Sequence, residues 1–275
     1  MSAVVTPQRP GDAPFTHRTP RVVAARRLTT RAGRQDAGRF LAEGAQAVTE
    51  ALREPRPPHE LFVTEAAAGR HAELVRQASA AGVTVSAIND RAAQLLSETV
   101  TPQGIVAVCD TVDVPLAEAL AGRPRLVAVL AGIADPGNAG SVIRVADAAG
   151  AGAVIFAGDA VDPHNGKCVR ASTGSVFHLP IARVKDMAEA LAGCREAGLR
   201  VVAADGAAGG TVDDPGVLGE PTAWLFGNEA HGLPAELIAA ADEALRVPIY
   251  GAAESLNLST AAAVCLYASA RAHRG

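Results

Sequence analysis

Five short apolar runs fill the second half of the chain: "RLVAVLAG", "GAVIFAG", "LRVVAAD", "TAWLFG" and "ALRVPI". They are continuous rather than alternating, and helical patterns separate them. Strands of this kind are buried on both faces, which a mostly parallel sheet achieves when helices cover it above and below. The helices are predicted from Ala139 to Ala149, near Gly166 to Ser175, near Asp186 to Ala197, and from Leu256 to His273. In such sheets ligands sit outside the carboxyl ends of the strands. Three loops are thereby singled out: the one before Asn138, the one after Phe226 and the one after Ile249.

The first half predicts a smaller α/β unit. "RFLAEGAQAVTEALRE" reads as an amphipathic helix ended by "PRPPHE", followed by "LFVT" as a strand, a helix over His71 to Ala81, "VTVSAI" as a strand, "RAAQLLSE" as a short helix and "GIVAVCD" as a third strand. Residues 1–20, with Pro7, Pro10, Pro14 and Pro20 among polar neighbours, read as a disordered tail. The expected organisation is that tail, a first unit over 21–110, a linker over 111–123 and a second unit over 124–275. A chain of 275 residues is long enough for two domains, and 49% hydrophobic residues with only 3% aromatics make the cores aliphatic.

Charge is unevenly spread. The formal net charge is -4, yet Arg18, Arg21, Arg26, Arg27, Arg31, Arg34 and Arg39 face a single acid, Asp36, a local excess of +6 between positions 18 and 39. Such an arm is a common footprint for nucleic acid, with Arg26, Arg27, Arg31 and Arg34 as candidate phosphate contacts; a solvated tail and helix is the plainer alternative. Arg170, Arg271 and Arg274 add positive charge elsewhere. Cys109, Cys168, Cys194 and Cys265 are far apart and show neither metal-ligand nor redox spacing, which fits a reducing cytosol. No metal site is expected, because His164, His178 and His231 are too widely separated. No signal segment opens the chain and no apolar run spans a membrane, so a cytoplasmic location is expected.

The three loops read "GIADPGNAGS", "FGNEAHGLP" and "PIYGAAESLNLS", rich in small residues that let the backbone approach a ligand. They contain no dinucleotide fingerprint, no phosphate-loop lysine and no G-x-S-x-G elbow. A nucleotide-dependent oxidoreductase on a doubly wound sheet is disfavoured by the missing fingerprint. In order and spacing, "NAGSVIR", "GNEAHGL" and "PIYGAAESLNLSTAAA" resemble the three motifs of the SpoU (TrmH-type) RNA 2'-O-ribose methyltransferases of the SPOUT class. The resemblance covers residues 124–272, and residues 21–110 resemble, more loosely, the ribosomal-protein-like RNA-binding domain found in front of it.

The resemblance implies a catalytic domain closed by a trefoil knot, S-adenosylmethionine as cofactor, RNA as partner and a homodimer. Carried over by position, cofactor contacts fall on Gly227, Val247, Ile249 and Leu256. Catalytic positions fall on Asn138, Arg144, Glu229, Ser255 and Asn257. Plainer readings stand beside these: Arg144 paired with Asp147 one turn away, Asn138 capping a helix from Ala139, Glu229 as a first-turn acid, and Ser255 as a natural cap. A guanidinium is a poor base, so orienting the ribose phosphate is the safer role for Arg144, with proton abstraction as the alternative. A non-catalytic RNA-binding protein on the same fold is disfavoured because all five positions are intact. Ribosomal RNA is favoured over transfer RNA by the two-domain layout alone, and housekeeping and antibiotic-resistance modifications both fit the pattern. A fragment beginning near Pro115 is expected to fold, dimerise and bind cofactor.

Overall fold

The structure, a computed structural model, describes residues 13–214, 216 and 218–274. Its contacts divide the chain into two units: residues up to Thr111 together with His164–Phe177, and Val112–Pro163 together with His178–Gly275.

The first unit contains α1 (Pro20–Arg27), α2 (Arg31–Ala37), β1 (Arg39–Glu43), α3 (Ala45–Ala51), β2 (Glu60–Val63), α4 (Glu65–Arg70), α5 (Ala72–Ala80), β3 (Thr84–Ala87), α6 (Asp90–Leu95) and β4 (Ile105–Asp110). Its sheet runs β1-β4-β2-β3, with β4 antiparallel to both β1 and β2 and β3 parallel to β2. Residues 39–54, predicted as one helix, form β1 and α3 instead. Phe40, Leu41 and Ala42 are consecutive, buried and paired to β4, and Gly44 at φ +100° breaks the chain before α3 begins. Consecutive apolar residues suit a strand covered on both faces and not an amphipathic helix.

Part of the predicted tail, residues 1–12, lies outside the described residues. From Ala13 the chain departs from the expectation of disorder: the Phe15 amide donates to Ala87 O at 2.8 Å, and Asn89 N donates to Phe15 O at 3.0 Å. The basic arm is partly spent on structure. Arg34 is buried and donates to Leu28 O at 3.0 Å, so it is no phosphate contact, and Arg21 pairs with Glu60 at 2.8 Å. Arg26, Arg27 and Arg31 are exposed.

The second unit is built on an eight-stranded sheet of order β10-β12-β9-β11-β6-β7-β8-β5, every described pair parallel. Its elements are β5 (Asp113–Val114), α7 (Leu116–Ala119), β6 (Leu126–Ala131), α8 (Pro136–Ala149) and β7 (Ala153–Ala157). After α9 (Gly166–Ser172), which groups with the first unit, come β8 (Ile181–Val184), α10 (Met187–Glu196), β9 (Arg200–Ala204), β10 (Gly210–Thr211), β11 (Thr222–Phe226), α11 (Ala235–Ala240), β12 (Glu243–Arg246) and α12 (Leu258–Ala272). Every residue of β6, β7 and β11 is buried, as their continuous apolar runs predict. On one face Val127, Val129 and Ile155 pack with Leu191 of α10 and Leu116 of α7. The other face carries α8 and α12, where Trp224 Nε1 donates to Ser269 Oγ at 2.8 Å. The predicted linker is structured, since β5 forms the sheet edge beside β8.

Residues 164–177 depart furthest from the expected organisation. Although predicted inside the second unit, α9 covers β1. Arg170 Nη1 donates to Glu43 Oε2 at 3.0 Å, while Ser97 Oγ donates to Glu43 Oε1 at 2.7 Å. Phe177 stacks on Phe40 with ring centroids 5.8 Å apart, and the His164 ring packs tilted against Phe40 at 4.8 Å. Arg170 is therefore a structural cation rather than a free phosphate attractor, and a fragment beginning near Pro115 carries α9 without the sheet it covers. Glu43→Ala removes a buried acceptor that Arg170 and Ser97 share, leaving Arg170 the longer pair with Glu98 at 4.0 Å and Ser97 its contact with Thr99 at 2.8 Å. It is expected to cost about 2–4 kcal/mol, read as a lower urea midpoint at unchanged slope.

Candidate functional site

Four neighbouring parallel strands, β12, β9, β11 and β6, end on one edge of the large sheet, and their following loops gather there. After β6 the chain proceeds to β7 on one side, whereas β9 and β11 lie on the other, so the β6 loop stands where the strand order reverses. Open parallel sheets place their crevice at such a point.

The first loop leads into α8. Asp135, not Asn138, is the cap: its Oδ1 accepts the Asn138 amide at 2.8 Å, and Pro136 occupies the first helical position, where a missing N–H costs nothing. Gly150 at φ +79° ends the helix. Asn138 thus lies within the first turn, with its side chain available for other contacts. Arg144, two turns on, is exposed. Asp147, its suggested partner, has its Oδ2 at 2.7 Å from His178 Nδ1.

In the second loop, the Asn228 and Gly232 backbones bond reciprocally at 3.0 and 2.8 Å. Gly227 is required by this turn, because a Cβ there would stand 2.3 Å from the Gly232 carbonyl carbon. Asn228 Nδ2 donates to Gly132 O at 2.9 Å and ties the second loop to the first. Asn228 lay within the quoted motif but was not singled out by sequence.

Glu229 joins the loops more firmly. Its carboxylate accepts from Ala134 N at 3.1 Å, Asp135 N at 3.0 Å and Asn138 Nδ2 at 3.2 Å. Asn138 Oδ1 in turn accepts from Asn257 Nδ2 at 3.0 Å, and Asn257 Oδ1 caps α12 through the amides of Ser259 at 2.9 Å and Thr260 at 3.4 Å. Four of the five predicted catalytic positions are placed by these elements: Glu229, Asn138 and Asn257 in one chain of hydrogen bonds, and Arg144 on the helix that Asp135 caps. Ser255 is exposed in the third loop and is not the helix cap, a role that Asn257 takes.

Beside this network lies a cavity of about 410 Å³. Val247, Ile249, Leu256 and Ser255 line it from the third loop, Ala204 and Gly206 from the end of β9, and Ala261 and Cys265 from α12. Gly227 is not among its lining residues and serves the turn instead. The volume suits a nucleoside-sized ligand, and the walls offer apolar side chains and small residues that leave backbone polar groups accessible. Cys265, outside the three loops in sequence, faces this cavity from α12. Burial pushes its thiol up to about 12, so it is no thiolate nucleophile. Among the described residues no cluster of three or more His, Cys, Asp or Glu is placed to hold a metal ion, and no helix is long and apolar enough to cross a membrane.

Partial burial opposes the charge of Glu229, but donated hydrogen bonds from the Ala134 amide, its own amide, Asn138 and the Asp135 amide outweigh that, and its carboxyl is held below the usual range. A depressed folded pKa contributes stability above the ordinary glutamate value, near 4.3, that is lost as pH falls through the lower folded value. Amide exchange at Ala134 and Asp135 should therefore quicken as pH drops below about 4, beyond the intrinsic rate change. Glu229→Gln should quicken it already at neutral pH.

Residues 125–267 match the SpoU rRNA Methylase family, and residues 19–107 match the MRM3-like substrate binding domain. The 23S rRNA (guanosine(2553)-2'-O)-methyltransferase RlmP of Bacillus subtilis (strain 168) is 34% identical, over 88% of this chain and 92% of its own. A crystal structure of an RNA 2'-O ribose methyltransferase superposes with a TM-score of 0.77 at 30% identity, covering 95% of this chain and 99% of the other. The SpoU methyltransferase AviRb from Streptomyces viridochromogenes, in complex with the cofactor AdoMet, superposes with a TM-score of 0.77 at 31% identity, covering 92% and 98%. The family match spans all three interlocked loops and the sheet that carries them, and the chain belongs to the SpoU rRNA Methylase family.

Proposed function

We propose that the protein is an S-adenosylmethionine-dependent RNA 2'-O-ribose methyltransferase acting on ribosomal RNA of the 23S type. The observation that carries this reading is the hydrogen-bonded chain Glu229–Asn138–Asn257, which locks three loops beside a nucleoside-sized cavity. In RlmP the substrate is 23S rRNA, which favours ribosomal over transfer RNA.

Val247, Ile249 and Leu256, with the backbone around them, would hold the cofactor; Gly227 contributes through the turn it permits. Bound there, the cofactor supplies an activated methyl group. The rest falls to the chain's own residues. Arg144 neutralises and orients the phosphate beside the target ribose, so that the 2'-hydroxyl enters already aligned. Asn138 and Glu229 hold the head of α8, and with it Arg144, in register with the third loop. Asn257 fixes the start of α12, and Ser255, exposed two residues earlier, is available to the RNA. Exposed Arg26, Arg27 and Arg31 supply sequence-independent attraction for the RNA backbone.

The same reading includes a homodimer and the family's trefoil knot. Val264 and Tyr267 on α12 expose 38% and 46% of their surface one turn apart, an apolar face suited to a second copy. The return of the chain from β12 to α12 packed on β11 and α8 supports the threading.

Arg144→Ala should abolish transfer of a tritiated methyl group to ribosomal RNA from cells lacking the protein, while calorimetry finds cofactor affinity nearly unchanged. Turnover at the unaltered rate would remove Arg144 from the site. Replacing Arg26, Arg27 and Arg31 together should weaken RNA binding and lower the slope of log affinity against log salt by about two to three, since each lost phosphate contact removes about one.

A further inference from the structure

The cavity beside the three loops carries two carboxylates that the cofactor contacts leave unused. Asp205 stands immediately after β9 and Glu254 in the loop after β12, and both line the cavity, as does Arg246. Arg246 has its own work. Its Nη1 donates to the carbonyls of Ala208 and Gly209, pinning the loop beyond Asp205 onto β12. Two carboxylates against one guanidinium give the lining a net charge of -1. An adenine ring needs none of it.

A volume of 410 Å³ corresponds to a sphere about 9 Å across, so a charge held near its centre stands within roughly one Debye length of the lining. Charge is what methyl transfer changes. As the 2'-oxygen bonds to the methyl carbon, the carbon–sulfur bond breaks, its electron pair returns to sulfur, and the hydroxyl proton passes to solvent water. A sulfonium becomes a thioether, and the cofactor passes from a net charge of about +1 to about zero.

We propose that Asp205 and Glu254 make the cavity charge-selective, holding the cationic cofactor and releasing the neutral product. This rests on the cofactor assignment above and extends it to specificity. The thioether product keeps every contact that the two ligands share and loses the methyl group and, with the charge, the attraction of the acidic lining. The two acids act on the exchange of ligands rather than on the reacting atoms.

The test is calorimetric titration of the full-length protein with three probes: S-adenosylmethionine, S-adenosylhomocysteine, and sinefungin, which carries an amine where the methylated sulfonium stands. The wild type should favour the two cationic ligands. In the double variant Asp205→Asn, Glu254→Gln, which keeps side-chain shape, both cationic ligands should weaken about tenfold while S-adenosylhomocysteine stays within about twofold. Retained S-adenosylhomocysteine binding also reports an intact fold. In the wild type, without any substitution, the preference for S-adenosylmethionine should shrink as salt rises. Equal weakening of all three ligands, or a preference unmoved by both the substitutions and salt, overturns the charge selection and leaves the cofactor assignment standing. Failure of the wild type to bind any of the three overturns both.

Discussion

The carboxylate of Glu229 is the interaction on which the site depends. It sits in a loop after one strand and accepts two backbone amides and one side-chain amide from the loop after its neighbour, 91 to 95 positions earlier in the chain. Each such bond adds about 1 kcal/mol or a little more when the acceptor is charged. Their larger effect is geometric. Through Asn138 the constraint reaches Asn257, and through Asn257 the first turn of α12, so that one acid, with the Asn228 tie beside it, sets the relation of three loops. The small residues of these loops explain the need: glycine-rich backbone approaches ligands closely but holds no shape by itself.

The sheet makes that constraint affordable to the chain. Strands buried on both faces leave little slack between β6 and β11, whose five paired positions fix where each loop begins. A rigid edge carrying loops tied by side chains is the usual way to place reactive groups accurately on a mobile segment. In the first unit, the Arg170–Glu43 pair and the packing of the His164 and Phe177 rings against Phe40 lend the four-stranded sheet a helix drawn from far along the chain.

The central strands were legible in the sequence because burial on both faces leaves an unbroken apolar run, and the three motifs were legible because they follow those runs at strand ends. Sequence and structure differ where a residue's role depends on a distant partner. β1 was read as helix because the periodic residues of α3 follow it directly, with Gly44 alone marking the boundary. β8 was missed because "IARV" is short and includes an arginine. Nothing local distinguishes the buried Arg34 from the exposed Arg31, and nothing near α9 announces a partner 127 positions away at Glu43. The cap at Asp135 carries a local signal in the Asp-Pro pair, while Asn138 stands closer to the apolar pattern and competes with it.

The chemical position of the methyl group tests the proposed reaction most directly. In the proposed reading Arg144 grips the ribose phosphate, and the one thiol lining the cavity is held protonated by burial. A 2'-O-methylated nucleotide cannot attack its own 3'-phosphodiester. Ribosomal RNA labelled by the protein and then hydrolysed in alkali should therefore release the label in a dinucleotide that resists further cleavage. Recovery of the label on a base, in an ordinary mononucleotide, would contradict ribose methylation and the role given to Arg144.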